Sequence, residues 1–424
     1  MRKFRIPRLV PLAAALLFLG LPFRAAAQEK GLEGAGLEKE EGSESFFDSL
    51  EDALTEGKVR VNLRTRAEWV NQKGVSNSQA YTERLRLGYG TKRFYGFSLY
   101  GEMEDIRAFG YSLYNAAGLN RENGKAVIAD PQDTELNQGY LSYKCGKGEA
   151  IVGRQRITLD DHRFIGNVGW RQNEQTYDAA TFKCSALEDF GFFYSFLGRI
   201  NRIYGPDSGL DFDSRSHLFN ASYDGCPYGK VVLFAYLLYF DNAKNLNSNT
   251  YGGRFKGSHD LNEDLDLGYT FSYARQVDGL RSGVDYQADY WLADLSVTKK
   301  GLGSAGAAWE ILSSDNGKAS FQTPLATLHA FNGWVDAFLT TPRDGLQDIY
   351  LYVAPELPYE LKGKVVYHTF KTEEGGGILG YEWDAVLTKK LSDHVKVLGK
   401  AGLFDGKAGY ADTAKFWLQM ELTF

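Results

Sequence analysis

From Val59 to the end of the chain, apolar side chains recur at every second position, and this period of two restricts the fold more than any other feature. In Val59-Arg60-Val61-Asn62-Leu63-Arg64-Thr65-Arg66-Ala67-Glu68-Trp69, one face carries Val, Val, Leu, Thr, Ala and Trp, and the other Arg, Asn, Arg, Arg and Glu. Successive side chains of a strand point to opposite faces, so such a segment has one greasy side and one wet side. The chain ends the same way: Phe416, Leu418, Met420, Leu422 and Phe424 alternate with Lys415, Trp417, Gln419, Glu421 and Thr423. Between these ends, Leu265, Leu267, Tyr269, Phe271 and Tyr273 oppose Asp264, Asp266, Gly268, Thr270 and Ser272.

Segmentation by this rule gives eighteen strands, from one near 59–70 to one near 413–424, with sixteen as the alternative count. Connections at 93–94, 145–148, 184–189, 225–228, 258–262, 299–302 and 389–392 are tight, whereas those at 107–134, 158–172 and 313–345 are long. Bacterial membrane barrels sort their connections in this way, with short periplasmic turns and longer outer loops. A soluble sandwich has no reason to do so. Hydrocarbon offers no partner to backbone NH and CO groups, so a sheet that crosses it has to close on itself. The reading is an all-β, transmembrane antiparallel β-barrel over 59–424, and at this strand number the bore is wide enough for water.

The amino terminus agrees with that compartment. Arg2, Lys3, Arg5 and Arg8 precede an apolar run from Leu9 to Leu21 and then Ala25-Ala26-Ala27, the layout of a secretory signal peptide over 1–27. The run is shorter than the roughly 20 residues of a membrane-spanning helix. Residues 28–58 carry ten acidic and three basic side chains and read as a periplasmic leader. Within it Phe46, Phe47, Leu50 and Leu54 fall at helical spacing behind Ser43 or Ser45, which suits either a short amphipathic helix over about 45–56 or a plain spacer. Loss of the five cations of 1–27 takes the formal net charge from −6 to −11. That balance points away from nucleic acid as a partner.

No nucleophile elbow, zinc-protease helix or phosphate-binding loop occurs in the chain. Cys145, Cys184 and Cys226 are too few for a disulfide scaffold and fall in or beside three short turns, where a pairing of two is open but unforced. Asp160-Asp161-His162 holds the residue types of a hydrolase, but solvated loop residues are the far better account of them, and Asp211 with Asp213 falls short of the 6–8 oxygen ligands that calcium takes. Neither a catalytic residue, a metal site nor a cofactor is therefore assigned. The informative set is a group of arginines on faces that should point inward: Arg60, Arg64, Arg66, Arg84, Arg86, Arg154, Arg156 and Arg199, with Arg163 and Arg171 in the loop that follows Arg156. Guanidinium groups in a narrowed bore attract carboxylates, and a row of weak sites lets them move on. Large barrels also line a wet interior with mixed charge whatever they carry, and residues 59–424 hold 40 basic and 44 acidic side chains, so local clustering has to decide.

The stretch Gly153-Arg154-Gln155-Arg156-Ile157-Thr158-Leu159-Asp160-Asp161-His162-Arg163-Phe164-Ile165-Gly166-Asn167-Val168-Gly169-Trp170-Arg171-Gln172-Asn173-Glu174-Gln175-Thr176-Tyr177-Asp178 resembles the alginate-export family of outer-membrane porins, and His329-Ala330-Phe331-Asn332-Gly333-Trp334-Val335-Asp336 is similar to a later loop of that family. The resemblance implies an 18-stranded monomeric barrel in the bacterial outer membrane, with an arginine-lined constriction that passes anionic polysaccharide. Arg154, Arg156, Arg163, Arg171, Glu174 and Asp178 become candidates for the conduit or its supporting ion pairs. It implies as partners the outer-membrane lipid, an anionic saccharide or small anion, and the barrel-assembly machinery reading Phe424. A porin for organic acids or aromatic solutes, a barrel enzyme at the rim, and a structural barrel plugged by 107–134 and 313–345 are the competing readings.

Overall fold

The computed structural model describes residues 46–424; the expected signal peptide, most of the expected leader and the expected helix caps Ser43 and Ser45 lie outside the described residues. A ten-residue helix, α1 (Phe46–Thr55), stands where the helical spacing placed it. The strands then follow in order: β1 (Lys58–Gln72), β2 (Ser78–Gly90), β3 (Phe97–Ala108), β4 (Asp133–Cys145), β5 (Gly148–Gln155) and β6 (Thr176–Cys184). Next come β7 (Phe190–Asn201), β8 (Phe212–Tyr223), β9 (Lys230–Leu238), β10 (Ser248–Asn262), β11 (Leu265–Asp278) and β12 (Gln287–Lys299). The last six are β13 (Gly303–Leu312), β14 (Leu346–Pro355), β15 (Lys362–Lys371), β16 (Ile378–Lys390), β17 (Val395–Gly406) and β18 (Thr413–Thr423).

Each strand pairs antiparallel with its sequence neighbours, and β1 pairs with β18 from Asn62 opposite Thr423 to Gln72 opposite Thr413. Val61 and Phe424 exchange both backbone hydrogen bonds, at 3.0 and 2.9 Å, so the last residue completes the seam. The sheet is thus closed with eighteen strands, the larger of the two expected counts. Its outer skin exposes Leu87, Met103, Leu233, Trp291, Leu351 and Leu418, the alternation's apolar set. No described helix is long and apolar enough to cross a membrane.

Connection lengths follow the expected parity. Segments 146–147, 263–264 and 300–302 join strands at one end, while 109–132, 156–175 and 313–345 all leave the other. By the barrel rule the short-turn end is periplasmic. A wet bore would leave its wall charges solvated, yet Arg66, Arg84, Glu104, Glu310, Glu382 and Asp384 are buried. The cause is that the three long loops fold inward instead of standing outside. Tyr114, Ala116, Ala126 and Ile128 of the first pack on Val70 and Ala80. Ile157, Ile165, Phe321, Leu325 and Phe338 of the other two pack on an apolar inner wall that includes Tyr177, Leu197, Phe234, Tyr236, Tyr290 and Phe404. The three cysteines are free thiols, so the open pairing of two is not made.

Candidate functional site: the loop-filled lumen

A loop without a sheet partner carries orphan carbonyls, and burying them unpaired is costly. In segment 156–175 the inward arginines of β1 and β2 answer that need. Arg64 donates to the carbonyls of Gly169 and Arg171 at 3.0 and 3.3 Å, Arg66 to that of Trp170 at 2.5 Å, and Arg84 to that of Gln172 at 3.4 Å. Arg66 also lies over the Trp170 ring, 4.3 Å from its centroid. These three arginines face inward as the alternation requires, but they meet the loop's backbone more than the bore.

Below them lies a second layer of ion pairs. Arg86 bonds Glu104 and lies 3.2 Å from Glu174, and Arg156 grips Glu174 with both arms, one contact being 2.7 Å. Asn137 and Asn167 donate to the same carboxylate at 2.8 and 2.6 Å. Burial alone would push the Glu174 carboxyl up, but Arg86 and Arg156 outweigh it and hold it well below the usual carboxylate range.

The loops are joined by a third set. Arg171 reaches Glu68 of β1 at 3.2 Å, Asp336 of loop 313–345 at 2.9 Å and Asp130 of loop 109–132 at 3.8 Å. Asp336 also accepts from Lys415 at 2.9 Å and lies 2.7 Å from His329 Nδ1. The far imidazole nitrogen is 2.7 Å from Lys400 Nζ, and that ammonium sits between the Trp170 and Trp334 rings at 4.2 and 3.9 Å. An ammonium can only donate, so His329 is neutral, accepting at Nε2 and donating from Nδ1 to Asp336. Burial first, and Lys400 second, accordingly push the imidazole well below its ordinary range. Arg163 meets Glu310 of β13 at 2.7 Å and anchors loop 313–345 through Thr323 at 3.2 Å and Asn332 at 3.0 Å. Wall carboxylates Asp384 and Glu382 accept from the backbone NH groups of Trp334 and Val335 at 3.1 and 2.8 Å.

The remaining expected residues keep more freedom. Arg154 pairs with Asp178 at 2.8 Å and retains 22% of its side-chain exposure, and Arg199 pairs with Asp211 at 2.9 Å near the outer rim. Asp211 and Asp213 both face that guanidinium, at 2.9 and 3.8 Å. Arg60 is exposed, rests over the Tyr100 ring at 5.6 Å and has no ion pair among the described residues. In the loop triplet, Asp161 pairs with Arg254, Asp160 accepts from Asn220 at 2.8 Å, and His162 has no described hydrogen bond to either carboxylate.

Sequence reasoning passed over Asp130, Glu310, Asp336, Lys400 and Lys415, which complete the network. It also passed over a ring of inward lysines near the short-turn end: Lys144, Lys183, Lys256, Lys364 and Lys396 share the face of known inward neighbours and lack an ion pair among the described residues. The alternation marks both groups, since Lys396 and Lys400, like Lys364 and His368, differ by an even number of positions.

A closed cylinder with an apolar skin and a charged, loop-narrowed bore defines an outer-membrane β-barrel channel. Its geometry alone does not separate one such family from another. The chain belongs to the alginate export family, whose model matches residues 59–298. Solved structures similar to it include OccAB3 of Acinetobacter baumannii (TM-score 0.68, 10% identity, 87% of this chain and 99% of that one). OccK9 (OpdG) of Pseudomonas aeruginosa is similar too (TM-score 0.67, 13% identity, 88% and 100% covered). At such identities the likeness is one of fold. No curated protein sequence matches the chain.

Proposed function

We propose that this channel passes anionic carbohydrate or a related small anion passively, and that it conducts without catalysing. The observation that carries the reading is the imbalance of unpaired charge. In the upper lumen nearly every guanidinium has a carboxylate or carbonyl against it. Towards the short-turn end, Arg60, Lys144, Lys183, Lys256, Lys364 and Lys396 face the bore without an ion pair among the described residues. The carboxylates interspersed with them are largely engaged: Glu149, opposite Lys144 and Lys183, pairs with Arg93 at 2.7 Å, Glu421, opposite Lys396, pairs with Arg64 at 3.2 Å, and Asp294 accepts from Tyr352 at 2.8 Å, which leaves Asp260 and Asp266 against six cations. A low-dielectric wall focuses that field and raises the local concentration of anions. Arg154 and Arg156, partly exposed above the ring, continue the path.

Liposomes holding the purified protein test this by osmotic swelling with a uronate disaccharide and a neutral disaccharide of equal size. Faster entry of the uronate, reduced in Arg60→Ala/Lys364→Ala, is expected. Equal rates, unchanged in the variant, would reject anion preference. A second reading is favoured by the interlocked loops: a bore held shut at rest. Flat planar-bilayer recordings that gain stable conductance only on loop shortening would select it.

A further inference from the structure

We infer that α1 is an interfacial anchor that lies on the outside of the barrel against the phospholipid of the periplasmic leaflet, and is neither a lumen plug nor a loose spacer.

The placement follows from Tyr89. This residue shares the outward face of β2 with Leu87, which is half exposed on the greasy skin. Its hydroxyl donates to the Leu54 carbonyl at the end of α1 and accepts from the Gly57 backbone NH at 3.0 Å. A Cβ on Gly57 would collide with that hydroxyl, so the chain turns here at closest approach to an outward side chain. Lys92 of the β2–β3 turn adds a backbone bond to the Ala53 carbonyl at 3.0 Å and an ion pair to Glu56. A helix held by an outward tyrosine at the short-turn rim is outside the bore.

The surface presented there is apolar. Phe46 packs edge-on against Phe94 at 5.1 Å, while Phe47 stays 75% exposed and Leu54 49% exposed. The turn Phe94-Tyr95-Gly96-Phe97 closes with reciprocal backbone bonds and puts Tyr95 at φ 48 and Gly96 at φ 87. Two positive φ values are the signature of the hairpin turn that favours Asn-Gly, so tyrosine at its first central position carries a backbone cost. Its ring, 74% exposed, faces Phe46 at 6.4 Å. Phe97 and Tyr143 continue the aromatic surface on the outward faces of β3 and β4, at 4.5 Å from one another. Helix, turn and strand ends therefore form one band of aromatic side chains continuous with the lipid-facing skin. Aromatic rings with one apolar side and one wet edge settle at the headgroup level of a bilayer. Phe47, Leu50 and Leu54 fall on one side of the helix, with Glu51 at its border, and exposed Asp48 and Asp52, four residues apart, fall on the other, which suits a helix lying half in lipid and half in water.

The test places the photoreactive amino acid p-benzoylphenylalanine at position 47, 54 or 99 of the full chain, in nanodiscs of phosphatidylethanolamine and phosphatidylglycerol. Leu99, on the outward face of β3, reports ordinary lipid contact. Phospholipid adducts by mass spectrometry at 47 and 54, as at 99, are expected, with the yield at 47 falling in Tyr89→Phe while channel conductance is unchanged. Adducts at 99 alone, or crosslinks from 47 to a second copy or to lumen residues, would overturn the inference.

Discussion

Arg171 shows what a single residue does in this bore. Its guanidinium meets Glu68, Asp130 and Asp336, which belong to the wall and to two different loops. Burying a charge without partners costs several kcal/mol, and breaking such a cluster by removing one member costs ~3–5 kcal/mol because the others stay buried. His329 adds a pH term. Its folded imidazole is held well below the ordinary 6.5, so the unfolded form binds the proton first and docking stability declines as pH falls below about 6.5. Glu174 and Asp336, both held below their ordinary 4.5 and 3.8, contribute stability present above those values and lost as pH falls through the lower folded ones. Limited proteolysis of loop 313–345 is thus expected to quicken below about pH 6.5 and again in stronger acid. His329→Gln should remove the first step and spare the second; cleavage independent of pH from 8 to 3 would refute this.

At the scale of elements, legibility tracks the range of the interaction. Strands such as β1 and β18 were readable because the two faces of a strand write themselves into alternate positions. Parity of connection length identified the three long loops for the same local reason. The inward fold of those loops was not readable, since it depends on contacts such as Arg66 to Trp170 and Arg163 to Asn332, more than a hundred positions apart. Arg66 and Lys396 look alike in the alternation, both charged and both inward, and only the loop's course buries one and leaves the other exposed. The strand ladder β13–β14 runs from Gly303 opposite Pro355 to Leu312 opposite Leu346 without using the loop between. Replacing residues 315–343 with a short glycine linker is therefore expected to keep the barrel and raise single-channel conductance several-fold. Unchanged conductance in a folded variant would show that the ion path avoids this loop.

For the whole molecule, closure and lumen charge are coupled. A ring of eighteen strands is too wide for its own side chains to fill, so loops must narrow it, and the guanidinium groups spent on binding those loops no longer face solute. What remains unpaired among the described residues near the short-turn end is mostly basic, with Arg60 and five lysines against Asp260 and Asp266. The acidic total of the chain hides this imbalance, because the carboxylates of the lumen are largely committed to the loop network. Single-channel reversal potential in a tenfold KCl gradient is the most direct measurement. The sign for chloride preference is expected in the native protein, moving towards zero when Arg60, Lys364 and Lys396 are changed together to alanine. A potassium preference that the triple substitution leaves in place would contradict the account.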